Sequence, residues 1–143
     1  MASRVTHPPH NVSGMGDLDD LAATFRALVA GHHETAAVIV LGPNGAGPPI
    51  VVSVGTAWGV SVSPRVALAE VLRAGAVEGW ILLHRHVGRA APSPEDLAVT
   101  RRLVAAAAIV GVPLRAHLVV GDEGWSDCLP LAAQELTEVL AAG

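Results

Sequence analysis

The sequence has 143 residues, of which 51% are hydrophobic, so its composition is that of a packed domain and excludes a disordered chain. The formal net charge of −4 argues against a nucleic-acid-binding surface, which is usually basic, and no nucleic-acid partner is expected. The single cysteine, Cys128, excludes both an intrachain disulfide and a zinc site built from several thiolates.

The chain is expected to form one domain behind a short tail. Residues 1–16 contain prolines and glycines with few apolar residues, which predicts a flexible N-terminal tail. Residues 17–143 have a length that one hydrophobic core can serve. No apolar run reaches the ~18 residues that span a bilayer, and the first residues lack a signal-peptide pattern. A cytoplasmic location is therefore expected.

The first half of the domain predicts a helix, a hairpin and a second helix. Apolar residues recur at three- and four-residue steps within 17–31, which is typical of an amphipathic helix. Two short apolar runs, 36–41 and 50–54, flank the turn sequence 42–45 and predict an antiparallel hairpin. The stretch 63–75 opens with Ser-Pro and closes with Gly, which predicts a helix between them.

The second half alternates strands and helices. An apolar strand is predicted over 80–83, and a Ser-Pro pair at 93–94 opens a helix that runs to about residue 110. A strand over 114–120 and an amphipathic helix over 131–140 complete the chain. The order α-ββ-α-β-α-β-α predicts an α/β fold, with a mixed sheet flanked by helices.

Two histidines follow the strand that begins at residue 80. Because residues two apart in a strand face the same side, His84 and His86 would project together and Arg85 would point to the opposite face. Asp96 comes ten residues after His86, in the first turn of the helix that Ser93 opens. If the loop folds that turn back over the strand end, two imidazoles and a carboxylate meet. This donor set is typical of a catalytic zinc site that keeps its fourth position open for water.

The same residues also have a simpler interpretation. Ser93 and Asp96 have the spacing of a capping box, in which each side chain satisfies a backbone amide at a helix start. A His-x-His pair at the end of a strand is often a surface or packing feature. From spacing alone, the metal site and the plain helix cap both stay open.

An ordered series of short motifs runs through residues 55–126. The motifs are Gly55-Thr56, Val62-Ser63-Pro64-Arg65, Ile81 to His86, Pro92 to Asp96, His117 to Asp122, and Trp125-Ser126. The series resembles the RadC family, a branch of the JAMM (MPN+) zinc metallopeptidase superfamily. The resemblance implies a single JAMM/MPN-like domain over 17–143, with a cytidine-deaminase-like mixed sheet flanked by helices.

The resemblance also implies a zinc site and the residues that serve it. His84, His86 and Asp96 would take the places of the zinc ligands. Ser93 would take the place of the serine that supports an oxyanion. Glu34 stands where the family has the glutamate that acts as general base on the zinc-bound water. The implied activity is zinc-dependent hydrolysis of an amide or isopeptide bond, with a peptide or a ubiquitin-like protein as substrate.

The loop after the second histidine departs from the family pattern. Val87 replaces a proline, Gly88-Arg89 replaces Ser-Gly, and the loop is one residue shorter than the pattern. Arg85 and Arg89 replace neutral residues, so each either binds an anionic group or is simply solvated.

Two other classes of function stay open beside the hydrolase. One is a zinc enzyme redirected to small-molecule, biosynthetic chemistry, in which zinc acts mainly as a Lewis acid. The other is a metal-binding scaffold module without catalysis. A homodimer is compatible with a small aliphatic domain of this kind.

Overall fold

A computed structural model describes residues 17–31, 34–54, 62–75 and 78–133. The predicted tail, the Gly-Thr motif at 55–56 and most of the predicted closing helix lie outside these ranges. The tail and the domain boundary at residue 17 therefore stay predictions.

Three helices have both ends within the described residues. Helix α1 spans Leu18–Leu28 and begins at Asp17, whose side chain accepts a hydrogen bond from a backbone amide of the first turn. Helix α2 spans Pro64–Arg73, and helix α3 spans Pro94–Val110. Both begin with proline, whose missing N–H has no helical partner at that position in any case. No helix in the described ranges is long and apolar enough to cross a bilayer.

Six described strands form one mixed sheet. They are β1 (Thr35–Gly42), β2 (Gly45–Ala46), β3 (Ile50–Val54), β4 (Gly79–Arg85), β5 (Leu114–Val120) and β6 (Trp125–Asp127). Their order is β2-β1-β4-β5-β6, and β3 also pairs with β1. Among the described strands, only β4 and β5 pair in parallel, because α3 carries the chain back across the sheet between them.

Helices cover both faces of the sheet. Helix α1 packs on one face, against a cluster that includes Ile81, Leu83 and Leu118. Helices α2 and α3 pack on the other face, against a cluster that includes Trp80 and Leu82. Because β4 is buried on both sides, its sequence is a continuous apolar run rather than an alternating one.

The predicted class, α/β with a mixed sheet flanked by helices, is confirmed. The hairpin is also confirmed, since β1 and β3 pair antiparallel. Three details differ from the sequence pattern. Residues 45–46 form an additional short strand, residues 125–127 pair with β5, and the closing helix begins at 128 instead of 131. The two additional strands are too short to show the alternating hydrophobic pattern of a strand, and their pairing with β1 and β5 defines them.

Leu82→Ala is expected to destabilise the fold by about 2–5 kcal/mol, because it leaves a cavity in the centre of the sheet, where Leu82 is 0% exposed. Leu72→Ala makes the same chemical change at a helix position that is 50% exposed, and we expect a loss within about 0.5 kcal/mol. Urea unfolding monitored by circular dichroism measures both. Equal losses would contradict the assigned core.

Candidate metal centre

The three predicted metal ligands meet at the carboxyl end of β4. His84 lies in β4, His86 follows the strand directly, and Asp96 lies in the first turn of α3. One potential ligand atom from each residue lies within 4.8 Å of those from the other two. Because α3 begins where the loop after β4 ends, the crossover that makes β4 and β5 parallel also brings the carboxylate to the histidines.

The carboxylate of Asp96 lies between the two imidazoles. Its Oδ1 is 3.0 Å from Nδ1 of His84, and its Oδ2 is 3.2 Å from Nε2 of His86. These separations are hydrogen-bond distances, so the carboxylate bridges Nδ1 of His84 and Nε2 of His86 and leaves Nε2 of His84 for another partner. His84 and Asp96 are only 5% and 4% exposed, whereas the side chain of His86 is 17% exposed, so the cluster is largely buried and reaches solvent at His86.

The helix cap and the cluster use the same carboxylate. Oδ2 of Asp96 accepts hydrogen bonds from the backbone amide of Ser93 at 2.7 Å and from its hydroxyl at 2.9 Å. The amide of Asp96 donates in return to Ser93 Oγ at 3.1 Å, which completes a capping box. The two interpretations of these residues therefore do not exclude each other, because the cap fixes the carboxylate in the orientation that faces the histidines.

The electrostatics of the cluster favour a charged carboxylate. Burial alone would raise the pKa of Asp96, but hydrogen bonds from His84, from His86 and from the Ser93 amide outweigh it and hold that pKa well below its usual range. The hydrogen bond to Asp96 raises the pKa of His86, against the lowering effect of its partial burial. The cluster thus holds a negative charge that a cation can share.

One buried nitrogen of the cluster has no hydrogen-bond partner among the described residues. Nε2 of His84 is inaccessible to solvent, and its nearest acidic neighbour, Glu34 Oε2, is 4.0 Å away. A buried polar atom without a partner is unfavourable, and a metal ion would remove this cost. The donor set of two imidazoles and one carboxylate fits zinc.

Glu34 lies beside the cluster, where the resemblance implies a general base. It comes two residues before Ala36, which pairs with His84 across β1 and β4. This pairing brings the partly buried Glu34 carboxylate to the side of His84 that carries the unpartnered Nε2. The neighbouring histidines His32 and His33 lie outside the described residues.

A second buried histidine, His117, is linked through Thr100 to the backbone of Asp96. The spacing of the motif residues does not predict this link. Thr100 Oγ1 donates to the backbone carbonyl of Asp96 at 2.7 Å, and His117 Nδ1 lies 2.6 Å from the same hydroxyl. Because the hydroxyl proton goes to the carbonyl, Nδ1 of His117 must be the donor. Burial, together with the nearby His84, lowers the pKa of His117 to about 3, so its ring is neutral.

Comparison with known proteins agrees with this geometry. A family model for the RadC-like JAB domain matches residues 15–135. The chain therefore belongs to the RadC-like JAB domain family. This places it in the JAMM/MPN superfamily and confirms the resemblance found in its motifs.

Three relatives illustrate the extent of the similarity. A UPF0758 protein from Trichormus variabilis is 42% identical over 73 residues, and one from Acaryochloris marina is 39% identical over 89 residues. A third, from Desulforudis audaxviator, is 43% identical over 72 residues. The matches cover 50%, 54% and 50% of this chain and 30%, 36% and 31% of the relatives. The chain therefore spans about a third of the relatives' length.

The loop that departs from the RadC pattern forms one wall of an open groove. The groove has a volume of about 710 Å³ and is lined by residues 88–92, by residues 122–124 and by Ser126. Arg89 lines it and forms no hydrogen bond or ion pair with any described residue. The solvated alternative is wrong for Arg85, whose side chain is 15% exposed and lies 2.7 Å from the carboxylate of Asp122.

His117 makes the stability of the metal-free protein depend on pH. Its pKa is about 3 when folded and ~6.5 when unfolded, so only the unfolded chain binds this proton between those values. Stability is therefore lost as the pH falls from about 6.5, by about 1.4 kcal/mol per pH unit. His117→Gln should have the shallower slope in urea unfolding between pH 6.5 and 4.5. Parallel slopes for the two proteins would contradict a neutral, buried His117.

Proposed function

We propose that this chain is a zinc-dependent hydrolase of amide or isopeptide bonds. The observation that carries the proposal is the convergence of His84, His86 and Asp96 on one point, with a buried, unpartnered nitrogen of His84 facing Glu34. Membership of the JAMM/MPN superfamily supports the reaction class. When bound, zinc supplies the Lewis acidity that activates a water molecule and polarises a carbonyl group.

Glu34 is proposed as the group that moves the proton. Its carboxylate takes a proton from the attacking water and delivers it to the nitrogen of the leaving amine, as a general base and then a general acid. The partial burial of Glu34 beside His84 supports this role, because a base must lie close to the ligands that define the reaction centre.

Ser93 is proposed to support the oxyanion that forms at the carbonyl carbon. In the structure its hydroxyl donates to Oδ2 of Asp96, so this role requires the hydroxyl to rotate away from the carboxylate. The backbone amide of Ser93 donates to the same oxygen at 2.7 Å. This second bond holds Asp96 in place while the hydroxyl turns.

A second candidate is a zinc enzyme that acts on a small anionic molecule. The observation that favours it is Arg89, a cation that lines the groove without a described partner and is available to a carboxylate or phosphate of the substrate. The groove is open enough for a peptide segment or for a small molecule. Turnover assays with both substrate classes would separate the two candidates.

Asp96→Ala is expected to abolish zinc binding, because it removes both a ligand and the group that orients the two histidines. Elemental analysis of protein purified without added metal should give about one zinc per wild-type chain. Asp20→Ala is the matched control, since it makes the same chemical change at an exposed acid in the first turn of α1, and it should retain the metal. Wild-type protein without zinc would contradict the hydrolase and leave Ser93 and Asp96 as a helix cap alone.

Glu34→Gln is expected to keep its zinc and to lose hydrolysis by roughly a hundredfold or more, because the amide cannot accept the proton of the attacking water. The assay uses isopeptide-linked and linear peptide substrates, with zinc content measured on the same samples. Glu78→Gln changes an exposed acid and should hydrolyse as the wild type does. Undiminished turnover by Glu34→Gln would exclude this mechanism.

A further inference from the structure

Several motif residues in the second half of the chain have no part in the proposed chemistry. Gly121-Asp122 and Ser126 belong to the turn that joins β5 to β6 and to β6 itself. This turn faces the loop 87–92, which connects His86 to Ser93, the residue that caps α3. The contacts between the turn and the loop suggest what these motif residues do.

Asp122 binds the chain on both sides of His86. Its Oδ1 accepts a hydrogen bond from Nη2 of Arg85 at 2.7 Å, and its Oδ2 accepts one from the amide of Gly88 at 3.0 Å. The amide of Asp122 donates to the carbonyl of Gly88 at 2.8 Å. The residue before His86 and the second residue after it are thus tied to one side chain.

Two further contacts hold the rest of the loop. A Cβ atom placed on Gly121 would lie 2.5 Å from the amide nitrogen of Ala90 and 2.7 Å from the carbonyl oxygen of Gly88. The backbones therefore approach more closely than any side chain at residue 121 would allow. The hydroxyl of Ser126 donates to the carbonyl of Ala90 at 2.5 Å.

The turn is itself attached to the body of the domain. Arg26 of α1 donates from Nε to the carbonyl of Gly121 at 2.9 Å and from Nη2 to the carbonyl of Gly124 at 3.2 Å. These bonds join the first helix to both ends of the turn. The turn that carries Asp122 is therefore anchored to α1, and the loop is bonded to this anchored turn.

An exposed ion pair is usually worth little, and the side chain of Asp122 is 53% exposed. The arrangement differs from an isolated pair in two ways. Both carboxylate oxygens accept from donors that belong to the chain segment around His86. Its partner Arg85 is largely buried, and the same guanidinium also donates to the carbonyls of His86 and Val120.

We propose that Asp122 is a positioning residue of the metal centre, which holds the backbone around His86 so that its imidazole stays at the carboxylate of Asp96. The inference rests on the proposed metal site, since it gives Asp122 a role in the affinity of that site. Supporting residues of this kind typically change metal affinity by roughly ten- to hundredfold when they are altered.

Asp122→Asn is the variant that tests the proposal. Both oxygens of Asp122 accept from N–H groups, so the amide nitrogen of asparagine must face either Arg85 or Gly88 and lose that bond. Glu123→Gln is the matched control, because it makes the same chemical change at the next residue. Glu123 is exposed, lines the same groove and bonds to no described residue.

Three measurements are made on both variants and on the wild type, after circular dichroism has shown that each is folded. Zinc affinity is measured by competition with a chromophoric chelator, and the Co²⁺-substituted proteins report ligand geometry in their visible spectra. Hydrogen exchange of the metal-free proteins reports the loop directly at the amide of Gly88. Gly121→Ala serves as a second variant, because it displaces the same loop without changing any charge.

We expect Asp122→Asn to bind zinc at least about tenfold more weakly, to show an altered Co²⁺ spectrum and to exchange the Gly88 amide about tenfold faster. Glu123→Gln should match the wild type in all three. Equal zinc affinity for Asp122→Asn and the wild type would overturn the proposal. If the wild type itself bound no zinc, the proposed function would fail, and unchanged exchange at Gly88 would then show that Asp122 does not hold the loop either.

Discussion

The buried carboxylate of Asp96 is the constraint on which the candidate site depends. A carboxylate removed from water must be given hydrogen-bond donors, and here they come from His84, from His86 and from the backbone and hydroxyl of Ser93. These donors belong to the end of β4 and to the start of α3. Satisfying one charge therefore fixes the position at which the helix begins relative to the strand.

This constraint explains why a helix cap and a metal site occupy the same residues. The N-terminus of α3 offers backbone N–H groups and a favourable dipole to an anion, so a carboxylate at Asp96 is stabilised before any cation binds. The cap uses mainly Oδ2, while Oδ1 faces His84. The hydroxyl of Thr100 stabilises the same turn by donating to the backbone carbonyl of Asp96, and it accepts a hydrogen bond from the neutral His117. A metal centre here would be preorganised by contacts that the fold makes in any case.

The sequence predicts those parts of the fold that local chemistry determines. Ser93-Pro94 opens α3 because a capping serine and a proline both suit a helix start, and the apolar run before His84 forms β4 because both faces of that strand are buried. The motifs, through their resemblance to a family, also predict which residues meet at the candidate site. The sequence does not predict that Arg85 pairs with Asp122 or that His117 bonds Thr100, because each contact joins distant segments whose approach the sheet and α3 together determine.

The loop that departs from the RadC pattern shows how the candidate ligands and the groove can vary separately. Its ties to the turn after β5 use backbone groups of Gly88 and Ala90, so they do not depend on the side chains of Val87 or Arg89. Both of those side chains are exposed, and Arg89 lines the groove. Substitutions at such positions change the surface of the groove, while the contacts that hold the backbone between His86 and Ser93 do not involve them. A chain of this family can therefore alter its groove without altering the position of its candidate metal ligands.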